Sequence, residues 1–182
     1  MMDDIGGKIR ELRIKKSHTV KQLAELVSCS PSLISQVERG KADPSISTLK
    51  KIADALNANI VDFFSFPSNE DQVVTRPHQR VEMQLPRWDA RIQSLVRAIG
   101  KKKMQAFYTV IKPGGGSKGL YSHDGEEFGL VLKGEMEIVL GDEVHVVGEN
   151  DSFYFSSRIP HDWNNRKKKD AVVVWVITPP TF

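Results

Sequence analysis

Residues 19–45, TVKQLAELVSCSPSLISQVERGKADPS, restrict the fold of this chain more than any other stretch. Thr19 offers an acceptor oxygen and Gln22 follows three residues later, the capping-box spacing that starts a helix. Leu23, Ala24, Leu26 and Val27 then recur at helical spacing and predict one apolar face. Ser28-Cys29-Ser30 interrupts that pattern. Ser30 is suited to cap a second helix that opens on Pro31, where a missing N–H costs nothing. Leu33, Ile34 and Val37 are expected to anchor the second helix inward, leaving Ser32, Ser35, Gln36 and Arg39 outward. Gly40 ends it in the left-handed position. Two short helices about so brief a turn, with small polar residues outside on the second, predict a helix-turn-helix able to set one helix in a DNA major groove.

The flanking sequence extends the pattern. Residues 3–16, with Ile9, Leu12 and Ile14, predict a preceding helix. Ser45 caps a helix over 46–56 with Ile46, Leu49, Ile52, Ala53 and Leu56 inward, and Asn59 caps a last turn bearing Ile60, Phe63 and Phe64. Five short helices in this arrangement, and QVERGKADPSISTLKKIADAL in particular, resemble the phage-repressor-like (Xre, Cro/C1-type) DNA-binding domain. That resemblance implies an all-α five-helix domain over residues 1–66. It also implies that Ser32, Leu33 and Gln36 face base edges, that Ser30, Lys41, Ser47 and Lys50 lie near phosphates, and that Lys21 and Arg39 border the same surface. The family often has Gln as the second residue of its second helix; this chain has Val20 there.

Charge is unevenly distributed. The formal net charge is only +3 over 182 residues, so DNA binding must rest on local placement and not on a bulk basic surface. Residues 1–66 carry 10 basic and 8 acidic side chains, residues 67–104 carry 8 and 4, and residues 105–182 carry 8 and 11. The C-terminal part is therefore a poor polyanion binder. A single cysteine, Cys29, excludes an internal disulfide, fits a reducing compartment, and is expected to pack in the helical core. Neither a signal-peptide core nor a run of about 20 apolar residues is present, so the expected location is cytoplasmic, with no membrane partner.

The polar residues 67–72 read as a linker. Beyond them the periodicity becomes alternating, predicting strands near 73–74, 80–85, 92–99, 105–112, 128–132, 135–140, 143–147, 152–155 and 171–177, with a hairpin at Gly141-Asp142. Many short strands with turn residues between them predict a sandwich or barrel over residues 73–182. The basic runs 101–103 and 166–169 fall between strands and read as solvated loops, Pro113-Gly114-Gly115-Gly116 reads as a turn, and Trp163 and Trp175 as barrel packing.

One spacing in this half carries chemistry. Gly115 is followed by Tyr121, His123, Glu127 and Gly134, and His161 precedes Asn165 by four positions. These residues resemble the two motifs of the cupin superfamily, an all-β small barrel. The pattern departs from the family at Tyr121, where the first metal-binding His belongs, and at Asn150, Ser156 and Arg158. Strand alternation lets His123 and Glu127 point into a barrel across a tight turn, with His161 reaching them from a facing strand. Two alternatives stay open. His123, Glu127 and His161 form a divalent-metal site for Zn, Mn, Fe or Ni, or they line a metal-free pocket, with Tyr121 and Trp163, that holds a small organic ligand. A phenol with an ordinary pKa of about 10 is a weak replacement for a His ligand.

The two-domain chain as a whole resembles bacterial transcriptional regulators that join such a helix-turn-helix domain to a cupin. That resemblance includes the His123-Asp124-Gly125-Glu126-Glu127 stretch and the Thr178 to Phe182 tail, and within these regulators the chain is similar to the putrescine-responsive repressor family, which also lacks the first His and ends in a similar tail. The resemblance implies a homodimeric repressor that binds double-stranded DNA, requires no cofactor, catalyses nothing and answers to a small polar effector, an amine or amino-acid derivative. Glu126, Glu127 and the acidic balance of this half suit a cation. The rival expectation is a metal-dependent cupin enzyme, a dioxygenase or isomerase, fused to an autoregulatory DNA-binding domain.

Overall fold

The computed structural model describes residues 5–58, 60–63, 73–85, 88–96 and 102–180. The chain divides into two compact units at about residue 65. The first contains α1 (Ile5–Lys15), α2 (Val20–Leu26), α3 (Pro31–Glu38), α4 (Ile46–Leu56) and a 3-10 turn at Ile60–Phe63. Thr19 and Gln22 close a reciprocal capping box on α2. Ser30 accepts from the Leu33 N–H at the start of α3, and Ser45 accepts from the Thr48 N–H at the start of α4. Gly40 sits at φ 63 after α3, in the left-handed region where a side chain would be strained. Gly6 serves a different need: a Cβ there would stand 2.2 Å from the Val37 carbonyl, so only glycine lets α1 meet α3 this closely.

Ile9, Leu23, Ala24, Ile34, Leu49, Ile52 and Phe63 fill the core of this unit at 0–2% exposure. Several expectations need correction. The described residues hold four α-helices, and the fifth element is a four-residue 3-10 turn, too short for an α-helical face. The 3–4 start of the first helix and the side chains of Asn59 and Phe64 lie outside the described residues. Leu26 and Ile14 are 58% and 57% exposed. At about 100° per residue, Leu26 is turned roughly 100° from the centre of the Leu23, Ala24 and Val27 face. On α1 the inward place goes to Arg13, whose guanidinium donates to both Glu38 oxygens at 2.5 and 2.9 Å and to the His18 carbonyl at 2.8 Å. Cys29 is half-buried, not enclosed, and partial burial raises its thiol pKa.

The second unit is all-β. Its strands are β1 (Val81–Leu85), β2 (Ala90–Ser94), β3 (Gln105–Ile111), β4 (Glu126–Lys133), β5 (Glu135–Leu140), β6 (Glu143–Gly148), β7 (Ser152–Ser156), β8 (His161–Asn164) and β9 (Ala171–Thr178). They form a six-stranded sheet in the order β1-β2-β3-β9-β4-β7 and a three-stranded sheet in the order β6-β5-β8, with every named pair antiparallel. Two isolated bridges, Gly116↔Asn164 and Tyr121↔His161, seal the free edge of β8 with the segment that precedes β4. The β5–β6 hairpin turns at Gly141, φ 58, as its sequence indicates. No strand forms at Val73-Val74, where Val73 is 96% exposed. The sequence reading also missed β8, whose four residues HDWN carry no β-branched side chain and are held by pairing with β5. The part of the 92–99 strand beyond residue 96, Lys101 and the last two residues of the tail lie outside the described residues.

Alternation places Phe107, Thr109 and Ile111 of β3, Glu127 and Val131 of β4, and Val173, Trp175 and Ile177 of β9 on one buried face. Met136 and Ile138 of β5 and His161 and Trp163 of β8 are buried from the other sheet. Trp163 meets Trp175 at 6.3 Å between ring centroids, so the two sheets share one aromatic core.

Candidate functional site

The helical unit supplies an exposed polar surface around α3. Ser32 and Gln36, one turn apart, are joined by a 3.1 Å hydrogen bond from Gln36 Nε2 to Ser32 Oγ. Leu33 is half-buried between them, while Ser30, Arg39 and Lys41 are exposed at the two ends of the helix. Lys21 on α2 is exposed and lies 4.0 Å from Glu25. At the start of α4, the Ser47 hydroxyl contacts that of Ser45 at 2.8 Å, and Lys50 is 3.4 Å from Asp54.

In the β unit, His123, Glu127 and His161 come together. Glu127 opens β4 on its inner face, His123 precedes that strand by one turn of chain, and His161 opens β8 opposite. The His123 N–H donates to the Ser157 carbonyl at 2.9 Å, and His161 exchanges two backbone hydrogen bonds with Tyr121 at 2.8 and 3.0 Å. Glu127 Oε1 lies 2.7 Å from His123 Nε2 and 3.1 Å from His161 Nε2, and all three side chains are almost fully buried. Neither Glu127 Oε1 nor His161 Nε2 has an aligned hydrogen bond among the described residues. These are converging contacts.

The outer nitrogens explain the convergence. His123 Nδ1 lies 3.0 Å from the Asp124 carbonyl and His161 Nδ1 2.7 Å from the Ile159 carbonyl. A carbonyl only accepts, so each Nδ1 carries the proton. In the neutral tautomer both Nε2 lone pairs then face a carboxylate, an arrangement that calls for positive charge among them. Burial raises the Glu127 pKa, but where the imidazoles carry that positive charge their N–H donation and charge outweigh burial and bring it from 4.5 to about 2. The other oxygen, Oε2, accepts from Trp175 Nε1 at 2.5 Å, which fixes the carboxylate plane.

The three ligand atoms lie within 4.8 Å of one another, and two imidazoles with one carboxylate suit a divalent ion. Tyr121 does not complete an anionic set. Burial, then the Glu127 charge, raise its pKa well above 10 against a hydrogen bond from Trp163, so the phenol stays protonated. Its ring packs against His161 at 4.1 Å, and Phe155 packs at 5.1 Å from the same imidazole. Tyr121 thus stands against the His123, Glu127 and His161 cluster, and Trp163 adjoins it through its hydrogen bond to Tyr121.

The sequence reading gave Trp175 a packing role and missed its hold on Glu127. Strand parity carried a signal: Trp175 alternates with Ile177, which pairs with Glu127. Gln105 was also missed. It pairs with Ile177 from the other side, so it shares a sheet row with Glu127, and its buried amide has no hydrogen bond among the described residues.

Comparison with known proteins adds family to this geometry. Residues 9–63 match the helix-turn-helix family and residues 107–177 match the cupin domain family. The chain thus carries a helix-turn-helix domain followed by a cupin domain. It is 28% identical over 180 residues to the HTH-type transcriptional regulator PuuR of Escherichia coli K12, covering 97% of this chain and 96% of that one. In structure it is similar to an HTH_3 family transcriptional regulator from Vibrio cholerae, with TM-score 0.72 and 23% identity over 98% of this chain and 96% of the other. It also shares a fold with hydroxypropylphosphonic acid epoxidase from S. wedmorenis, at TM-score 0.51 and 18% identity over 96% of each chain. No helix among the described residues is long and apolar enough to cross a membrane.

Proposed function

We propose that this regulator is a homodimeric, cytoplasmic repressor whose cupin unit senses a small polar cation, an amine or amino-acid derivative, and alters operator binding. In this reading residues 1–66 bind DNA, 67–72 link, and 73–182 sense the effector and dimerise. On DNA, Ser32, Leu33 and Gln36 meet base edges, Ser30, Lys41, Ser47 and Lys50 lie near phosphates, and Lys21 and Arg39 flank them. Exposed Ser32, joined to half-buried Gln36 on the polar side of α3, supports this assignment.

The observation that carries the sensing role is the meeting of two imidazole Nε2 atoms on one oxygen of buried Glu127, with both Nδ1 protons engaged by carbonyls. A protonated amine supplies both the charge and the N–H donors that the cluster lacks when its imidazoles are neutral. The aromatic rings of Tyr121, Trp163 and Phe155 suit its hydrocarbon part. Effector binding changes DNA affinity only to the extent that one arrangement of the dimer binds it better.

The same donors favour a second reading, a metal-dependent cupin enzyme such as a dioxygenase or isomerase. There His123, Glu127 and His161 would hold the ion, which would supply Lewis-acid or redox chemistry. The neutral Tyr121 phenol in the fourth place weakens that reading, since it adds no anionic ligand. Thermal-shift screening of full-length protein against amines, amino acids and divalent metals, with metal analysis of the purified protein, separates the two. A sensor is stabilised by one amine increasingly with the logarithm of ligand concentration. Stoichiometric iron or manganese with oxygen consumption would instead establish the enzyme, and no stabilisation by any amine would remove the sensing role.

A further inference from the structure

On the outer side of the six-stranded sheet, β1 and β2 carry polar residues such as Glu82, Arg91 and Gln93, whereas the β9-β4-β7 part is apolar, where a solvated face alternates to polar. Phe128 of β4 pairs with Tyr154 of β7 on one side and Val176 of β9 on the other, forming one row, and Leu130 pairs with Val174 in the next. Phe128, Leu132 and Tyr154 are 43%, 41% and 64% exposed. Spanning three strands at about 4.8 Å and five residues at about 3.4 Å, the face covers on the order of 250 Å². That suits the dry centre of an interface of standard size, about 800 Å² per partner, with a polar rim making up the rest.

We infer that this face joins two copies of the chain, sheet against sheet, about a two-fold axis that runs the facing β4 strands antiparallel. The inference rests on the homodimeric reading above and specifies its interface. Charge selects the partner and the direction. Exposed Glu126 stands at one end of β4 and exposed Lys133 at the other, and their midpoint falls at Gly129 and Leu130, the centre of the apolar rows. Antiparallel stacking therefore sets Glu126 of each copy over Lys133 of the other without displacing the apolar centre. The helical unit offers no comparable match, since the exposed large apolar side chains among its described residues are the isolated Ile14 and Leu26.

Sedimentation equilibrium of full-length protein tests this, with thermal melting as the check on folding. Phe128→Lys and Tyr154→Lys are outward changes and should melt near the wild type while raising the dimer dissociation constant about tenfold or more, Phe128→Lys because it buries an unpaired charge and Tyr154→Lys because it replaces an aromatic ring of the interface with an ammonium beside Glu126. Glu126→Lys alone should weaken the dimer, and Glu126→Lys with Lys133→Glu should restore it, since the swapped charges meet again across the axis. A wild-type dimer that persists in Phe128→Lys and Tyr154→Lys would overturn this interface while leaving dimerisation intact. A monomeric wild type would overturn dimerisation itself; expansion of that monomer in solution scattering on Phe128→Lys would assign the face to the DNA-binding unit.

Discussion

Glu127 sets the chemistry of the β unit because every polar group around it is fixed by something else. Trp175 holds one oxygen, and the carbonyls of Asp124 and Ile159 turn His123 and His161 toward the other. Its pKa is depressed from 4.5 to about 2 in the folded state, so the stabilisation it represents is fully present above pH 4.5 and is lost as pH falls through about 2. Acid titration of stability should therefore show a loss across that window that Glu127→Gln removes; an identical acid limb in Glu127→Gln would mean that other carboxylates dominate. On the DNA side, Gln36 is free to exchange its bond to Ser32 for a base. Gln36→Ala should cost about 1–3 kcal/mol on the cognate operator and little on random DNA, measured by fluorescence anisotropy at fixed salt. Equal losses on both would show that Gln36 reads no sequence. His123 and Glu127 were legible from their local spacing, and His161, 34 residues beyond Glu127, through its place in the second cupin-like motif. The role of Trp175 was not, because it depends on which residue of β9 pairs with Glu127, a register set by strands 48 residues apart.

At the scale of elements, the helical unit was the more legible of the two. Caps at Thr19, Ser30 and Ser45 and the stop at Gly40 act within four residues of the backbone groups they satisfy, so sequence alone locates them. The Arg13–Glu38 pair escaped notice because it links α1 to α3 across 25 positions, and a buried Arg mimics a polar gap in an apolar stripe. This pair ties α1 to the end of α3. Arg13→Ala strands Glu38 in the core and should destabilise the full-length protein's helical unit by about 3–5 kcal/mol, whereas Arg13→Met with Glu38→Leu should fall close to wild type. Denaturant melts followed by circular dichroism decide it, and a mild effect of Arg13→Ala would show that the pair contributes little. In the β unit the strands with alternating apolar residues were readable, whereas β8 was not, since its extended form comes from β5 and from the Tyr121 bridge.

For the whole molecule, the helix-turn-helix and the cupin unit have separate cores and separate chemistry, and regulation requires that they be coupled. A site of buried charge in one unit can act on DNA through the other only if effector binding favours one dimer arrangement. Coupling of this kind predicts that a change confined to the cluster alters the response without altering the basal grip on DNA. The decisive measurement is operator affinity of full-length wild type and Glu127→Gln, each with and without the amine that stabilises the wild type. The account predicts that the amine shifts wild-type affinity, that Glu127→Gln does not respond, and that the two proteins bind operator alike in its absence. A Glu127→Gln protein that responds to the amine as the wild type does would contradict it.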